Sequence, residues 1–247
     1  TFHLSTLLCG AHRRAILKEV KYRLQNEKPC HLIATQVVEA GVDIDFPLVL
    51  RAVAPLDRMV QAAGRCNREG KMPHLGKVLI FQPEDGRLPP GEYQTGTDTA
   101  IAVLKQGKWD IDQPEIFKQY FTLLYGAVKL DAKGIQDLRT GFDYPEVSSQ
   151  FSLIDNQTIP IVVRYYEQEE RIVNELLVQL QQPWYNPKKI LRLLQPYIVN
   201  VRHPALKQYC QEGMLTEIFP GLYEWLGQYD NLLGLQSKML EPEDLII

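Results

Sequence analysis

Short apolar runs alternate, along the first third of the chain, with stretches whose apolar residues recur at helical spacing. Phe2–Thr6 reads as a strand. Within His12–Asn26, the residues Ile16, Leu17, Val20 and Leu24 fall on one face, with charge opposite them, so a helix is predicted. His31–Thr35, Leu48–Val53 and Lys77–Gln82 are continuous apolar runs, the pattern of strands covered on both faces. Between the last two, a helix is predicted to open at Asp57 as N-cap and close by Gly70. Strand, helix, strand, strand, helix, strand is the order of a parallel α/β sheet flanked by helices. Ligands of such sheets lie at the carboxyl ends of the strands.

The texture then changes. Residues 83–97, Pro-Glu-Asp-Gly-Arg-Leu-Pro-Pro-Gly-Glu-Tyr-Gln-Thr-Gly-Thr, are dense in turn formers and lack periodicity, so a linker is expected there. Beyond it, helices are predicted from Asp112 to about Gly126, over Glu167–Gln181 and over Pro187–Leu194. Asn186 would cap the last of these, with Pro187 at its first position. Ile159–Arg164 and Ile198–Arg202 read as strands. The expected organisation is an α/β domain over 1–82, a linker over 83–97 and a smaller mixed α/β domain over 98–247.

Charge sharpens this division. The 247 residues carry 27 Lys+Arg and 30 Asp+Glu, a net charge of −3. Residues 1–82 hold 12 basic and 7 acidic side chains, or +5; the remainder hold 15 and 23, or −8. A basic segment in an acidic chain points toward a phosphate-bearing partner, although an ordinary solvated surface explains the charge as well. No apolar run approaches the ~20 residues that span a bilayer, so no membrane segment is expected. The start at Thr1-Phe2-His3, without an initiator Met, reads as a cut fragment. Cys9, Cys30, Cys66 and Cys210 are scattered without a C-x-x-C pair, as in reduced cytoplasmic proteins; all four are expected as small core residues. The five His form no metal-binding spacing, so no metal site is expected within the chain.

Two segments carry candidate chemistry. Thr35-Gln-Val-Val-Glu-Ala-Gly-Val-Asp-Ile-Asp45 directly follows a predicted strand. Gly41 permits a tight turn, Glu39, Asp43 and Asp45 cluster at the strand mouth, and Thr35 offers a hydroxyl and an N–H where phosphates are commonly held. The acidic trio reads equally as solvated loop charge or as a divalent-metal site. The second segment holds Gln61, Gly64, Arg65 and Arg68 in a Q-x-x-G-R-x-x-R pattern. On a continuous helix, Gln61, Arg65 and Arg68 project from one face, and Gly64 with Ala62 and Ala63 permits close approach. Two guanidiniums beside an amide suit a polyphosphate, because Arg stays charged and binds phosphate oxygens in bidentate fashion. The alternative is that these arginines simply pair with acids such as Glu39 or Asp43.

Taken in order, about 15 residues apart, TQVVEAGVDID at 35–45 and VQAAGRCNREG at 60–70 resemble motifs V and VI of superfamily-two helicases. The longer stretch PLDRMVQAAGRCNREG at 55–70 is similar to the helicase–nuclease of type I CRISPR systems. FHLSTLLCGAHR at 2–13 resembles the motif IV region of that family. FSLIDNQTIPIVV at 151–163 and YDNLLGLQ at 229–236 resemble its C-terminal accessory domain. The resemblance implies that residues 1–82 are an N-terminally truncated second RecA-like domain and 98–247 an accessory domain. It implies that Arg68 is an arginine finger for the γ-phosphate of ATP, with Arg65 its companion and Gln61, Gly41 and Asp43 lining the same cleft. It also implies that Thr35, Ser5, Thr6 and Arg13 lie along the DNA track. ATP and Mg are the implied cofactors. The implied partners are single-stranded DNA, the CRISPR surveillance complex Cascade, and the N-terminal helicase and nuclease domains of the same protein.

Parts of such a motor are missing from this sequence. Gly-Lys occurs at 70–71, 76–77 and 107–108, never before Ser or Thr, and Gly91 and Gly96 are followed by Thr97-Asp98 where a Walker A loop has Lys and Ser/Thr. No DEAH or DEAD box and no His-Asp nuclease signature is present. The chain alone is therefore expected neither to hydrolyse ATP nor to cut DNA. Two other readings stay open: a separately produced, non-catalytic module that binds nucleic acid or a partner protein, and another superfamily-two enzyme with a similar motif pair. Trp109, Tyr120, Phe121, Tyr125, Trp184, Tyr185 and Trp225 are expected mainly as packing, with stacking on bases as the alternative. Glu241–Asp244 is expected to be a solvated end.

Overall fold

The computed structural model describes residues 1–39, 41–106, 113–151, 158–164 and 170–236. Trp109, the start of the helix expected at Asp112, residues 152–157 of the 151–163 motif, the start of the helix expected at Glu167 and the tail 241–244 lie outside them. The described residues are mixed α/β and group into two units: those within 1–42 and 157–247, and those within 43–156.

The first unit begins with β1 (Phe2–Leu4), α1 (Gly10–Gln25) and β2 (Leu32–Ala34). β1 and β2 pair in parallel, Phe2 with Leu32 and Leu4 with Ala34. The second unit holds β3 (Leu48–Ala52), α2 (Leu56–Ala63), β4 (Lys77–Phe81), α3 (Glu92–Leu104), α4 (Pro114–Ala127), α5 (Ile135–Thr140) and α6 (Tyr144–Gln150). β3 and β4 form a parallel pair from Leu48–Lys77 to Ala52–Phe81. The chain returns to the first unit as β5 (Thr158–Val162), α7 (Glu170–Leu180), α8 (Pro187–Leu194), β6 (Ile198–Arg202), α9 (His203–Gln211), β7 (Leu215–Phe219), β8 (Leu222–Trp225), β9 (Tyr229–Asp230) and β10 (Gly234–Leu235).

Four of these strands make one mixed sheet in the order β6-β5-β8-β7, with β5 parallel to β8 and antiparallel to β6. Alternation along the strands supplies two cores, one on each face. Ile161, Val163, Val199 and Val201 face one side, where they bury Tyr209, Trp225, Leu235 and Cys9. Val162 and Leu222 face the other, against Val173, Leu176, Leu177 and Leu180 of α7 and Ile190 and Leu194 of α8. Cys9 explains why residues 1–42 group with the C-terminal sheet and not, as expected, with residues up to 82. The turn ahead of α1 is built into that core, and Tyr229 Oη accepts a hydrogen bond from the Cys9 N–H at 2.9 Å. In the second unit, Ala54, Leu56, Met59, Ala100, Val103, Ile116 and Tyr120 form the core.

Three other expectations are corrected. The apolar strands are not covered on both faces: Leu50 is 61% exposed and Phe81 48%, and Ile33, Leu48 and Leu79 are also exposed. Each parallel pair has only two strands, and among the described residues no second layer covers the outer face. The segment 83–97 is not all linker, because α3 begins at Glu92; Gly96 and Thr97 are buried against Pro55 and Tyr120. Among the cysteines, Cys9 is buried, Cys30 and Cys66 are half-buried and Cys210 is exposed.

Candidate functional site

α2 sets the entry to the arginine segment. Leu56, Met59 and Ala62 recur at helical spacing and are buried, which leaves Gln61 on the solvent side. The helix starts after Pro55, with Asp57 inside its first turn, and ends at Ala63 with Gly64 as its C-cap. This corrects the continuous helix expected to Gly70. Arg65 and Arg68 lie beyond the helix, so helical spacing does not align them with Gln61. Gly64 has φ −64°, which any residue adopts, and a side chain there would meet only the carbonyls of its own turn at ordinary contact distance.

The loop that carries the arginines is held by the acidic segment. The Phe46 N–H donates to the Arg65 carbonyl at 2.9 Å, and the Asn67 N–H returns a bond to the Phe46 carbonyl at 3.0 Å. Asp45 accepts from the backbone N–H of Arg68 at 2.7 Å and of Glu69 at 3.1 Å. Both oxygens of its carboxylate thus fix the turn in which Arg68 sits. Arg68 Nη1 lies 3.1 Å from Asp43 Oδ1, with the side chains 42% and 69% exposed. Arg65 is half-buried.

Two further residues shape this loop, and neither stood out in the sequence. Asn67 takes a left-handed conformation, φ +47°, and its amide donates to the His74 carbonyl at 3.1 Å while its carbonyl oxygen accepts from the Met72 N–H at 3.1 Å. Asn tolerates this conformation, and the local sequence Asn-Arg-Glu-Gly was the available signal. Gly76 lets the start of β4 lie on the loop: a Cβ at Gly76 would fall 2.5 Å from Cys66 Sγ. Nothing local in the sequence marks that approach.

The other candidate residues belong to the first unit. Gly41 has φ +72°, as a tight turn requires. The Thr35 N–H donates to the Leu4 carbonyl at 3.0 Å, and its enclosed hydroxyl has no partner among the described residues. Ser5 is fully buried and its hydroxyl accepts from the Leu7 N–H at 3.3 Å. Thr6 is half-buried. Arg13 lines a cavity of about 280 Å³ with Leu4, Gly10, Arg14, Val37 and Val42. Thus Asp43, Asp45 and Arg68 are brought together in one loop pair, and Thr35 is joined to β1 beside Ser5.

Residues 2–71 match the family described as CRISPR-associated nuclease/helicase Cas3, C-terminal. The chain resembles the C-terminal portion of the Cas3 nuclease/helicases. The Cas3 of Haloferax volcanii is 30% identical over 189 residues, 66% of this chain and 20% of that protein. The Cas3 of Methanothermobacter thermautotrophicus is 36% identical over 72 residues, 28% of this chain and 9% of that protein. The chain therefore spans a fifth or less of these curated Cas3 relatives. Among solved structures, T. fusca Cas3 superposes with a TM-score of 0.56 at 16% identity, covering 91% of this chain and 32% of that one. T. fusca Cas3 with ATP gives 0.51 at 16% identity over 90% and 32%. A chain in a CRISPR RNA-guided surveillance complex, pre-nicking, gives 0.50 at 15% identity over 91% and 34%. At these identities the structural likeness establishes the fold. Among the described residues, no helix is long and apolar enough to cross a membrane.

Proposed function

We propose that this chain is the C-terminal half of an ATP-dependent single-stranded-DNA translocase of CRISPR interference. It contributes the segments that resemble motifs IV, V and VI, and is inactive until joined by an N-terminal RecA-like domain and a nuclease domain. The observation that carries this reading is the Asp45 clamp on Arg68. A carboxylate that holds two successive N–H groups fixes the backbone below the guanidinium, so its reach is set before any ligand arrives.

The Asp43 pair does not lock that guanidinium away. An ion pair this exposed contributes ~0–1 kcal/mol, far less than a doubly charged phosphoryl oxygen cluster offers the same side chain. Arg68 is thus parked on Asp43 and released to the γ-phosphate, with Arg65 as the second cation. These residues fit the phosphate end of ATP. They do not fit magnesium: Asp43 and Asp45 are engaged with Arg68, and among the described residues no three His, Cys, Asp or Glu side chains are grouped to hold a metal. Any magnesium would be held by the N-terminal domain. Single-stranded DNA, with contacts near Thr35, Thr6 and Arg13, and a CRISPR RNA-guided surveillance complex, in which a structurally similar chain is found, are the proposed partners, in the cytoplasm.

Nucleotide-dependent association tests this reading. A separately produced N-terminal helicase half is titrated with this chain, with and without a non-hydrolysable ATP analogue. The analogue is expected to tighten association, and Arg65→Ala with Arg68→Ala to abolish the effect. Association that ignores nucleotide at every stoichiometry would instead favour a non-catalytic module.

A further inference from the structure

The C-terminal part of the chain is acidic overall, yet one exposed stretch reverses that sign. Trp184-Tyr-Asn-Pro-Lys-Lys-Ile-Leu-Arg192 holds two aromatics and three cations and no acid. Trp184 is 74% exposed and Tyr185 41%. Large aromatics are buried where packing can use them, as Tyr209 and Trp225 are in the same unit. Directly after them, Asn186 caps α8 by accepting from the Lys188 N–H at 3.0 Å. Ile190 and Leu194 of α8 point into the core, so Lys188, Lys189 and Arg192 share the opposite, exposed face. Among the described residues, none of the three cations forms a salt bridge with a carboxylate.

The aromatics also wall a groove of about 790 Å³, within the range of ligand-sized sites. Its other wall is α7, which contributes Arg171, Asn174, Val178 and Gln182. Asn174 Oδ1 is enclosed there without a hydrogen-bond partner, and Arg171 pairs with Glu175 at 3.0 Å. Cations in a row bind a polyanion, and exposed aromatic faces bind planar rings. Unstacked bases on a phosphate backbone supply both, whereas a duplex hides its base faces.

We propose that Trp184, Tyr185, Lys188, Lys189 and Arg192 form a binding surface for single-stranded nucleic acid, with bases on the aromatics and phosphates along α8. The surface lies wholly in the first unit, whereas the arginine loop belongs to the second. Its existence does not depend on the chain's being part of an ATPase.

The test is fluorescence anisotropy of labelled oligo-dT with the whole chain over a range of salt. Trp184→Ala with Tyr185→Ala is expected to weaken binding roughly tenfold or more, and Trp184→Phe with Tyr185→Phe to restore most of it. Reversing Lys188, Lys189 and Arg192 to Glu is expected to flatten the log–log salt slope by about 2, since each phosphate contact on a single strand contributes roughly 0.7. Circular dichroism on each variant verifies folding. Unchanged affinity in the folded double-alanine variant overturns the proposal. So does equal competition by duplex DNA, dextran sulfate or anionic lipid vesicles, because the surface would then read charge or a membrane and not bases.

Discussion

At the scale of single residues, Asp45 has the clearest energetic role. It binds two backbone N–H groups of the arginine loop with a charged acceptor, the stronger kind of hydrogen bond. Asp45→Ala is expected to cost about 1–2 kcal/mol in chemical denaturation, as loss of a cap does elsewhere. His12 gives a pH signature. It is buried beside Tyr229, with Nδ1 3.1 Å from the phenolic oxygen, and burial lowers its pKa from 6.5 to about 4. The unfolded chain therefore takes up the proton first. Stability tied to His12 is complete above pH 6.5 and is lost as pH falls toward 4. Thermal melts at stepped pH are expected to show this fall, and His12→Gln to shrink it; an unchanged slope in the variant contradicts the assignment. Tyr229→Phe strands the buried Cys9 N–H and is expected to cost about 1–3 kcal/mol.

At the scale of elements, most of the regular structure was legible from periodicity. α1, α8 and β6 fall where apolar spacing and the Asn186-Pro187 cap placed them, because those signals are local. The arginine segment is not the continuous helix that its spacing predicts. The i, i+4, i+7 spacing of Gln61, Arg65 and Arg68 fits a helix, but a long-range partner decides the matter: Asp45, 23 residues earlier, captures the Arg68 N–H that a helix would have used internally. The end of the expected linker was hidden for a similar reason. Glu92–Leu104 carries Thr95, Thr97, Thr99 and Gly96, poor helix formers, and it is helical because Gly96, Thr97 and Ala100 pack into the second core. The residue types at the candidate site were legible; their mutual contacts were not, since Gly76 and Asn67 act through neighbours distant in sequence. Gly76→Ala tests this at the element scale. Its Cβ would push Cys66 and the arginine loop away from β4, and overpacking of this kind is expected to cost about 1–3 kcal/mol. A Gly76→Ala chain as stable as the parent contradicts the close approach.

At the scale of the whole molecule, opposite charge divides the sequence at one place and tertiary contacts divide it at another. The +5 segment holds the arginine loop, yet its first 42 residues group with the C-terminal sheet, into whose core Cys9 is built. Stability of the segment resembling motif IV is accordingly tied to that sheet. In the proposed function, Arg68 completes an ATPase whose other half lies in a separate domain. This is tested most directly by ATP turnover stimulated by single-stranded DNA, with this chain added to a separately produced N-terminal helicase half. Turnover is expected only in the mixture, to fall about 10³-fold or more with Arg68→Ala, as loss of an arginine finger does, and to survive Asp43→Asn. Turnover that is restored equally well by the Arg68→Ala chain would contradict the account.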